Sequence, residues 1–307
     1  MIALFLAACT PSTPADTDTY DPTAPLRERC FGELGEGALI PSYDGFGPTV
    51  PRHCMGTNHQ DIDAVGKVVF LGDSITAGTP PTPVDEVYRN LLGVELAERF
   101  GSLELDNCSE WGARLDDLVG EGKQIESCFP EVQTEPVLVV MTVGGNDMVA
   151  WGGDLAGGTP VEEVTADFEA GIAYLESALT WFKDDPDGRF PAGVNVVFAN
   201  VYEYTDGTNE VGVCPLADLF DVPEDISEFG EGYVNLNEAY MELAVRTQTD
   251  MVFLYESFCG HGFFHDDPNN PCYRGPEAER WFDDTCIHPN PTGHRVLADM
   301  VLAVVDE

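Results

Sequence analysis

The sequence predicts an α/β fold, a three-layer α/β/α sandwich around a central, mostly parallel five-stranded sheet. Short, wholly apolar runs rich in β-branched residues recur along the chain, as expected of strands that are buried on both faces. Segments with helical periodicity separate these runs, and this alternation is typical of parallel sheets with crossover helices. We find no internal repeat and no second core, so a single folded domain is expected.

Each predicted element follows from a local pattern. The five strands are predicted from their apolar runs, at about 67–71, 102–107, 136–143, 193–201 and 251–255. Helices are predicted at 84–100, from 159 to about 183, at 231–249, and from Asn290-Pro291 to the end of the chain. Thr159-Pro160-Val161-Glu162 has the form of a capping box with proline at the first helical position.

The composition is strongly acidic. Among 307 residues, 55 are acidic and 14 are basic, which gives a formal net charge of −41. A chain with this charge repels DNA, RNA and anionic lipid head groups, so we exclude nucleic acid as a partner. The same imbalance is typical of proteins adapted to high salt, where counterions screen the self-repulsion.

The N-terminus predicts export. Residues 1–9 are apolar and end in Leu-Ala-Ala-Cys, the form of a bacterial lipoprotein signal ending at Cys9, although the usual basic start is missing. Residues 10–26 are rich in Thr, Pro and Asp and predict a disordered tether. Residues 27–307 would form the domain, with an irregular N-terminal wrap at 27–66. We therefore expect an extracytoplasmic protein, lipid-anchored at the bacterial cell envelope or secreted, that contacts a membrane only through a lipid anchor on Cys9. An apolar N-terminus without a signal function is the alternative.

Eight further cysteines fit an oxidising compartment. An even number in an exported chain predicts four disulfides, whose pairing the sequence does not determine. Pairing between sequence neighbours is the simplest arrangement: 30–54, 108–128, 214–259 and 272–286. A zinc site is the alternative, but the chain has no Cys-x-x-Cys pair and its six histidines are scattered.

Polar segments follow the predicted strands at positions where chemistry is expected. Four of them occur in order: Gly72-Asp73-Ser74-Ile75-Thr76, Asn107-Cys108-Ser109-Glu110-Trp111-Gly112, Gly144-Gly145-Asn146-Asp147 and Asp283-Asp284-Thr285-Cys286-Ile287-His288-Pro289-Asn290. Each lies after a strand or just before the last helix. Open α/β sheets place their reactive groups at the carboxyl ends of the strands, so all four segments can face one crevice.

In order and content these segments resemble the four blocks of the SGNH (GDSL) hydrolase family. The blocks are a Gly-Asp-Ser serine, a glycine, a Gly-x-Asn-Asp and an Asp-x-x-His, and the resemblance spans residues 66–307. It implies the flavodoxin-like SGNH hydrolase fold and a serine esterase that needs no cofactor and no metal.

The resemblance implies roles for four residues. Ser74 would be the nucleophile and His288 the general base that takes its proton. The oxyanion would be held by the N–H groups of Ser74 and Gly112 and by the side-chain amide of Asn146. Glycine lets the backbone approach closely, and asparagine donates without adding charge.

The third member of the triad departs from the family pattern. The family acid lies three residues before the histidine, and that position is Thr285. We expect Asp284, one residue earlier, to reach the imidazole through a one-residue insertion. Asp283 is the alternative, and a backbone carbonyl is a third possibility.

Other polar or aromatic residues are weaker candidates. The segment 261–267, with His261, His265 and two aspartates, could bind a metal, but such loop residues are usually only solvated. We expect Asp147 to bond loop amides and His294 to be a surface or packing residue. Three tryptophans either line a substrate pocket or pack at the sheet edges: Trp111, Trp151 and Trp281.

Together the sequence predicts an extracytoplasmic serine esterase that hydrolyses carboxylic esters through an acyl-enzyme on Ser74. The substrate would be a small-molecule, lipid or glycan ester. Simple acyl esters or lysophospholipids are the first expectation and polysaccharide O-acetyl groups the second, with the loops 202–230 and 261–284 shaping the pocket. A surface binding protein that retains the fold without turnover is the alternative, favoured only by Thr285.

Overall fold

The computed structural model describes residues 21–208 and 230–307 and contains the predicted five-stranded sheet. All neighbouring strands are parallel, and their order is β2-β1-β3-β4-β5. The strands are β1 (Lys67–Gly72), β2 (Glu104–Asn107), β3 (Val137–Thr142), β4 (Val194–Ala199) and β5 (Asp250–Val252). The expected α/β fold class is confirmed.

Nine α-helices lie in the described part of the chain. They are α1 (Leu26–Cys30), α2 (Ser74–Ala77), α3 (Tyr88–Phe100), α4 (Gln124–Cys128), α5 (Gly145–Ala156), α6 (Val161–Asp184), α7 (Gly230–Thr247), α8 (Leu254–Phe258) and α9 (Pro291–Val305). The final helix has the expected cap, because the Asn290 side chain accepts from the N–H of Gly293 and proline occupies the first turn.

The hydrophobic core has two parts, one on each face of the single sheet. Along β1, Val68 and Phe70 point into the core that contains α3 and α9. Val69 and Leu71 point into the opposite core, which contains α5, α6 and α7. This alternation follows from the two-residue period of a strand and explains why the central strands are apolar throughout.

The N-terminal wrap, residues 27–66, covers the edge of the sheet. Gly56 forms an isolated antiparallel bridge with Val252 of β5, and the N–H of Thr57 donates to the Met251 carbonyl at 2.9 Å. Apart from α1 and a 3₁₀ turn at Tyr43–Phe46, the wrap has no helix or strand. It occupies hydrogen-bonding groups that a free edge strand would expose.

A buried carboxylate fastens the wrap to β5. Asp250 accepts from the His59 N–H at 2.6 Å, from the Thr57 hydroxyl at 3.1 Å and from the Gln60 amide at 2.9 Å. Burial raises the pKa of Asp250, and these donors oppose that shift by stabilising the charged form.

Three disulfides lie within the described residues. Cys30–Cys54 and Cys108–Cys128 agree with pairing between sequence neighbours. The third joins Cys259 to Cys272, so the expected pairs 214–259 and 272–286 are wrong. The reason is that α8 and the loop after it bring Cys259 to within 5.3 Å of Cys272, measured between Cα atoms. Cys286 is also disulfide-bonded, and Cys214 lies outside the described residues.

Two predicted helix starts are also corrected. The segment 84–100 is not one helix, because Val87 is extended and α3 begins after it at Tyr88. The predicted capping box at Thr159 does not form. Pro160 is the N-cap of α6 without a side-chain bond, while the Thr159 N–H donates to the Asp154 carbonyl at the end of α5.

The predicted leader, residues 1–9, lies outside the described residues, as does most of the predicted tether at 10–26. Within residues 21–208 and 230–307, no helix is both long and apolar enough to cross a bilayer.

Gly72 gives the first testable prediction. Its φ is +107°, and a Cβ built there would lie 1.8 Å from the Thr142 carbonyl oxygen. Gly72→Ala should therefore lower the free energy of unfolding by about 2 kcal/mol or more, measured as the urea midpoint. The matched control is Gly153→Ala in α5, where a Cβ meets nothing within 4 Å and φ is ordinary. That change should be neutral or stabilising by about 0.5–1 kcal/mol, and equal losses in the two variants would contradict the argument.

Candidate active site

A pocket opens at the carboxyl edge of the sheet, where the four polar segments were expected to meet. Its lining includes Ser74 after β1, Asn146 after β3, Tyr202 after β4, Leu254 after β5, and His288. This is the edge at which open α/β sheets bind their ligands. The fold therefore brings three of the predicted site residues into one pocket.

The turn that presents Ser74 is fixed by β3. The Asp73 N–H donates to the Thr142 carbonyl at 2.9 Å, in continuation of the β1–β3 ladder. The Asp73 side chain accepts from the Ile75 N–H at 3.0 Å and so caps α2, of which Ser74 is the first residue. Ser74 consequently lies at the point where strand turns into helix.

Ser74 and His288 are in direct contact. The Ser74 Oγ and His288 Nε2 atoms are 2.9 Å apart, which is hydrogen-bonding distance. His288 is buried, and burial lowers the pKa of its imidazole to about 4. The imidazole is therefore neutral at pH 7 and able to accept a proton.

Three contacts hold the loop that presents His288. Phe282 and Pro289 form an antiparallel bridge across its base, and the Asp283 N–H donates to the His288 carbonyl at 2.9 Å. The Tyr202 hydroxyl donates to the Ile287 carbonyl at 2.5 Å. The histidine is thus fixed by backbone bonds on both sides.

Thr285 and Asp283 lie behind the imidazole. The Thr285 hydroxyl is 2.9 Å from His288 Nδ1 and also bonds Asp283 Oδ1. The same carboxylate oxygen accepts the Thr285 N–H at 2.8 Å. Burial raises the pKa of Asp283, and the two bonds from Thr285 oppose that shift.

Asp284 does not reach the imidazole, contrary to our expectation. Its side chain is exposed and accepts from Arg280 at 3.1 Å. The reason is the tight turn before Cys286, whose φ is +66° and whose N–H donates to the Asp283 carbonyl. This turn directs Asp283 and Thr285 inward and leaves Asp284 facing solvent.

Of the two remaining predicted oxyanion donors, Asn146 bonds the backbone of the residue that follows Gly112. Asn146, the second residue of α5, donates from Nδ2 to the Ala113 carbonyl at 2.9 Å. Gly112 directly precedes Ala113, in an exposed turn where its φ is +76°. The next residue of α5, Asp147, accepts the Leu115 N–H at 3.1 Å. Asp147 thus bonds a loop amide as expected, and its burial raises its pKa to about 7.

A buried hydroxyl chain behind Ser74 was not anticipated from the sequence. The Thr142 hydroxyl donates to Asp73 at 2.8 Å, and it is 2.8 Å from the Thr76 hydroxyl, which is 2.7 Å from the Tyr88 hydroxyl. Burial raises the pKa of Asp73 to about 7 despite these donors. Only the tertiary fold reveals this chain, because its members come from the cap and body of α2, from α3 and from β3.

The rest of the pocket wall is largely apolar. Its apolar and aromatic side chains are Ile75, Val143, Val149, Val201, Tyr204, Tyr233, Leu254 and Ile287, and the polar Asp73, Thr142 and Asn200 also line the pocket. None of the three tryptophans belongs to it. Trp151 is buried between α5 and α6 and contacts Phe168, whereas Trp111 is 65% exposed and donates to the Gly78 carbonyl.

The remaining histidine candidates have packing contacts. His261 stacks on Trp281 and bonds the Glu279 carbonyl, while the buried His294 stacks on Tyr88. Across residues 21–208 and 230–307, no group of three or more His, Cys, Asp or Glu side chains is arranged to hold a metal ion.

Solved structures with the same fold are similar to this chain at low sequence identity. An extracellular lipase from Streptomyces rimosus is 18% identical with a TM-score of 0.50, over 78% of this chain and 100% of that one. An acetylxylan esterase from Geobacillus stearothermophilus is 18% identical with a TM-score of 0.50, over 81% and 97%. Phospholipase A1 from Streptomyces albidoflavus is also 18% identical with a TM-score of 0.50, over 78% and 99%.

No curated protein matches the sequence. The model of the GDSL-like lipase/acylhydrolase family matches residues 70–296, a segment that begins within β1 and ends within α9. This match covers well over half of the chain and includes all four polar segments. The protein therefore belongs to the GDSL-like lipase/acylhydrolase family of hydrolases.

Proposed function

We propose that the protein is a serine esterase that hydrolyses carboxylic esters through an acyl-enzyme on Ser74. The observation that supports this most directly is the 2.9 Å contact between Ser74 Oγ and His288 Nε2 inside the pocket. A serine hydroxyl is a weak nucleophile until a neutral imidazole removes its proton. Family membership supports the same chemistry.

The reaction has two steps. In the first, Ser74 Oγ attacks the ester carbonyl carbon while His288 Nε2 accepts the hydroxyl proton, and the imidazolium then protonates the departing alcohol. In the second, His288 removes a proton from water as the water oxygen attacks the acyl carbon. The bond from that carbon to Ser74 Oγ then breaks, the imidazolium returns the proton to Oγ, and the acid is released. No cofactor is required by either step.

Negative charge that develops on the carbonyl oxygen needs preorganised donors. We assign this role to the N–H groups of Ser74 and Gly112 and to the Asn146 side chain. An amide nitrogen has two N–H bonds, and Asn146 uses one on the Ala113 carbonyl. That bond fixes the amide plane, so the second N–H is oriented before substrate arrives.

The substrate class follows from the pocket wall. Its apolar side chains favour an acyl chain longer than acetyl, so simple acyl esters and lysophospholipids remain the first proposal. Polysaccharide O-acetyl groups are the second, the chemistry named for the acetylxylan esterase with this fold.

We also propose an extracytoplasmic location. Three disulfides among the described residues support it, because such bonds persist in oxidising compartments. Attachment through a lipid on Cys9 is part of this proposal.

A binding protein without turnover is the competing proposal, and Thr285 was the residue that favoured it. The carboxylate of Asp283 behind Thr285 removes that argument, since an acid still lies on the far side of the imidazole.

The nucleophile and the oxyanion donor are tested together. Ser74→Ala should lower kcat for p-nitrophenyl butyrate by at least about 10³-fold, and it should abolish labelling by a fluorophosphonate. Asn146→Ala should lower kcat by about 10²–10³-fold while the serine can still be labelled. The exposed Asn269→Ala is the matched control and should leave kcat unchanged. Wild-type turnover that persists in Ser74→Ala would exclude the proposed mechanism.

The pH dependence follows from the buried imidazole. The base acts only when neutral, and burial lowers the pKa of His288 to about 4. On lowering the pH from 8, kcat/KM should therefore hold until about pH 5 and fall by half near pH 4, well below the ordinary pKa of histidine, about 6.5. Circular dichroism at each pH separates this loss from acid unfolding. Half-loss near pH 6.5 in a folded sample would contradict the assignment.

Acyl-chain preference distinguishes the two substrate classes. From p-nitrophenyl acetate to butyrate, kcat/KM should rise by up to about fourfold for each added CH₂ that enters the apolar wall. Val149→Thr, an isosteric polar change in that wall, should flatten the series, whereas Val94→Thr on the exposed face of α3 should not. A maximum at acetate would favour the O-acetylesterase.

A further inference from the structure

Thr285 occupies the position where the family places an acid, yet it lies between an acid and the imidazole. We propose that Thr285 is a positioning residue whose hydroxyl bridges Asp283 and His288. This hydroxyl bridge determines which nitrogen of the imidazole is free to accept a proton. This inference rests on the proposed function, since it concerns the base that serves Ser74.

The direction of the first hydrogen bond follows from the Asp283 carboxylate. Its Oδ1 atom accepts the Thr285 backbone N–H at 2.8 Å, so that oxygen is an acceptor. The Thr285 hydroxyl, which bonds the same Oδ1 atom, must therefore donate to it. A proton on the other carboxylate oxygen would not change this assignment.

The direction of the second bond follows from the first. A hydroxyl has one hydrogen, and Thr285 has used it on Asp283, so its oxygen can only accept from His288 Nδ1 at 2.9 Å. Nδ1 is then the protonated nitrogen. Nε2 has the lone pair, and it is the atom that lies 2.9 Å from Ser74 Oγ.

Burial makes this arrangement stable. Asp283, Thr285 and His288 are only 4%, 8% and 6% exposed. Little water can reach Nδ1 in place of the hydroxyl, so solvent would not compensate for the loss of this hydrogen bond. The other tautomer would direct an N–H at Ser74 and leave no base.

The hydroxyl bridge of Thr285 also lets the Asp283 carboxylate stabilise a positive charge on the imidazole. When His288 becomes an imidazolium, Nδ1–H donates more strongly, and the Thr285 hydroxyl passes this polarisation to Asp283. Asp283 lies two residues earlier in the sequence than the acid of the family pattern, and the Thr285 hydroxyl lies between it and the imidazole. Two side chains thus share the role that one carboxylate has in the family.

The test compares four variants by kcat, KM and melting temperature. Thr285→Val keeps the shape but removes the hydroxyl, and kcat should fall by about 10²-fold with KM little changed. Thr285→Ser restores a hydroxyl and should recover kcat to within about threefold of the wild type. Asp283→Ala should lose activity as Thr285→Val does, whereas Asp284→Ala, its exposed neighbour, should leave kcat unchanged.

A readout independent of turnover is the tautomer of His288, observed by ¹⁵N NMR and assigned with His288→Ala. The wild type should have its proton on Nδ1, and Thr285→Val should lose that preference. A wild-type proton on Nε2, full activity in Thr285→Val, or loss in Thr285→Ser equal to that in Thr285→Val would each overturn the bridge. An Nδ1 proton in a protein without esterase activity would retain the bridge and refute the proposed function.

Discussion

The parallel pairing of β1 with β3, continued to Gly72 and Thr142, is the constraint on which the candidate active site depends. It brings the two backbones so close that no side chain fits at Gly72. Thr142 then receives the Asp73 N–H on its carbonyl and donates its hydroxyl to the Asp73 carboxylate. Ser74 is thereby fixed relative to the sheet and not to a surface loop. Because β3 continues into α5, the same strand positions Asn146.

His288 reaches Ser74 from the other end of the chain and needs a separate support. The bridge at the base of its loop fixes the backbone, and Thr285 with Asp283 fixes the ring. The third member of a triad must hold a tautomer and stabilise the imidazolium. A hydroxyl that has already donated its hydrogen to a carboxylate can do the first and assist the second. In the proposed mechanism, the arrangement therefore departs from the family in its residues more than in its chemistry.

The sheet could be predicted from the sequence because strands buried on both faces appear as short, wholly apolar runs. The sequence also located Ser74, Asn146 and His288 at one edge, since polar segments followed the strands. It failed at Asp284, because a one-residue difference decides which side chain faces inward, and the turn at Cys286 sets that choice. The hydroxyl chain from Asp73 to Tyr88 was likewise inaccessible, because each of its bonds joins residues that are distant in the sequence or on separate elements.

The wrap that covers β5 has a consequence for the order of folding. Thr57 and Asp250, which bond each other, are separated by 193 residues, so this edge cannot close until most of the chain is available. Contacts of such long range form slowly, since a large loop must close before they contribute. Until then both β5 and the part of the wrap around Thr57 expose backbone groups without hydrogen-bond partners. We therefore expect a nascent chain to be most prone to aggregation late in folding, when β5 has formed and residues 56–60 do not yet cover it.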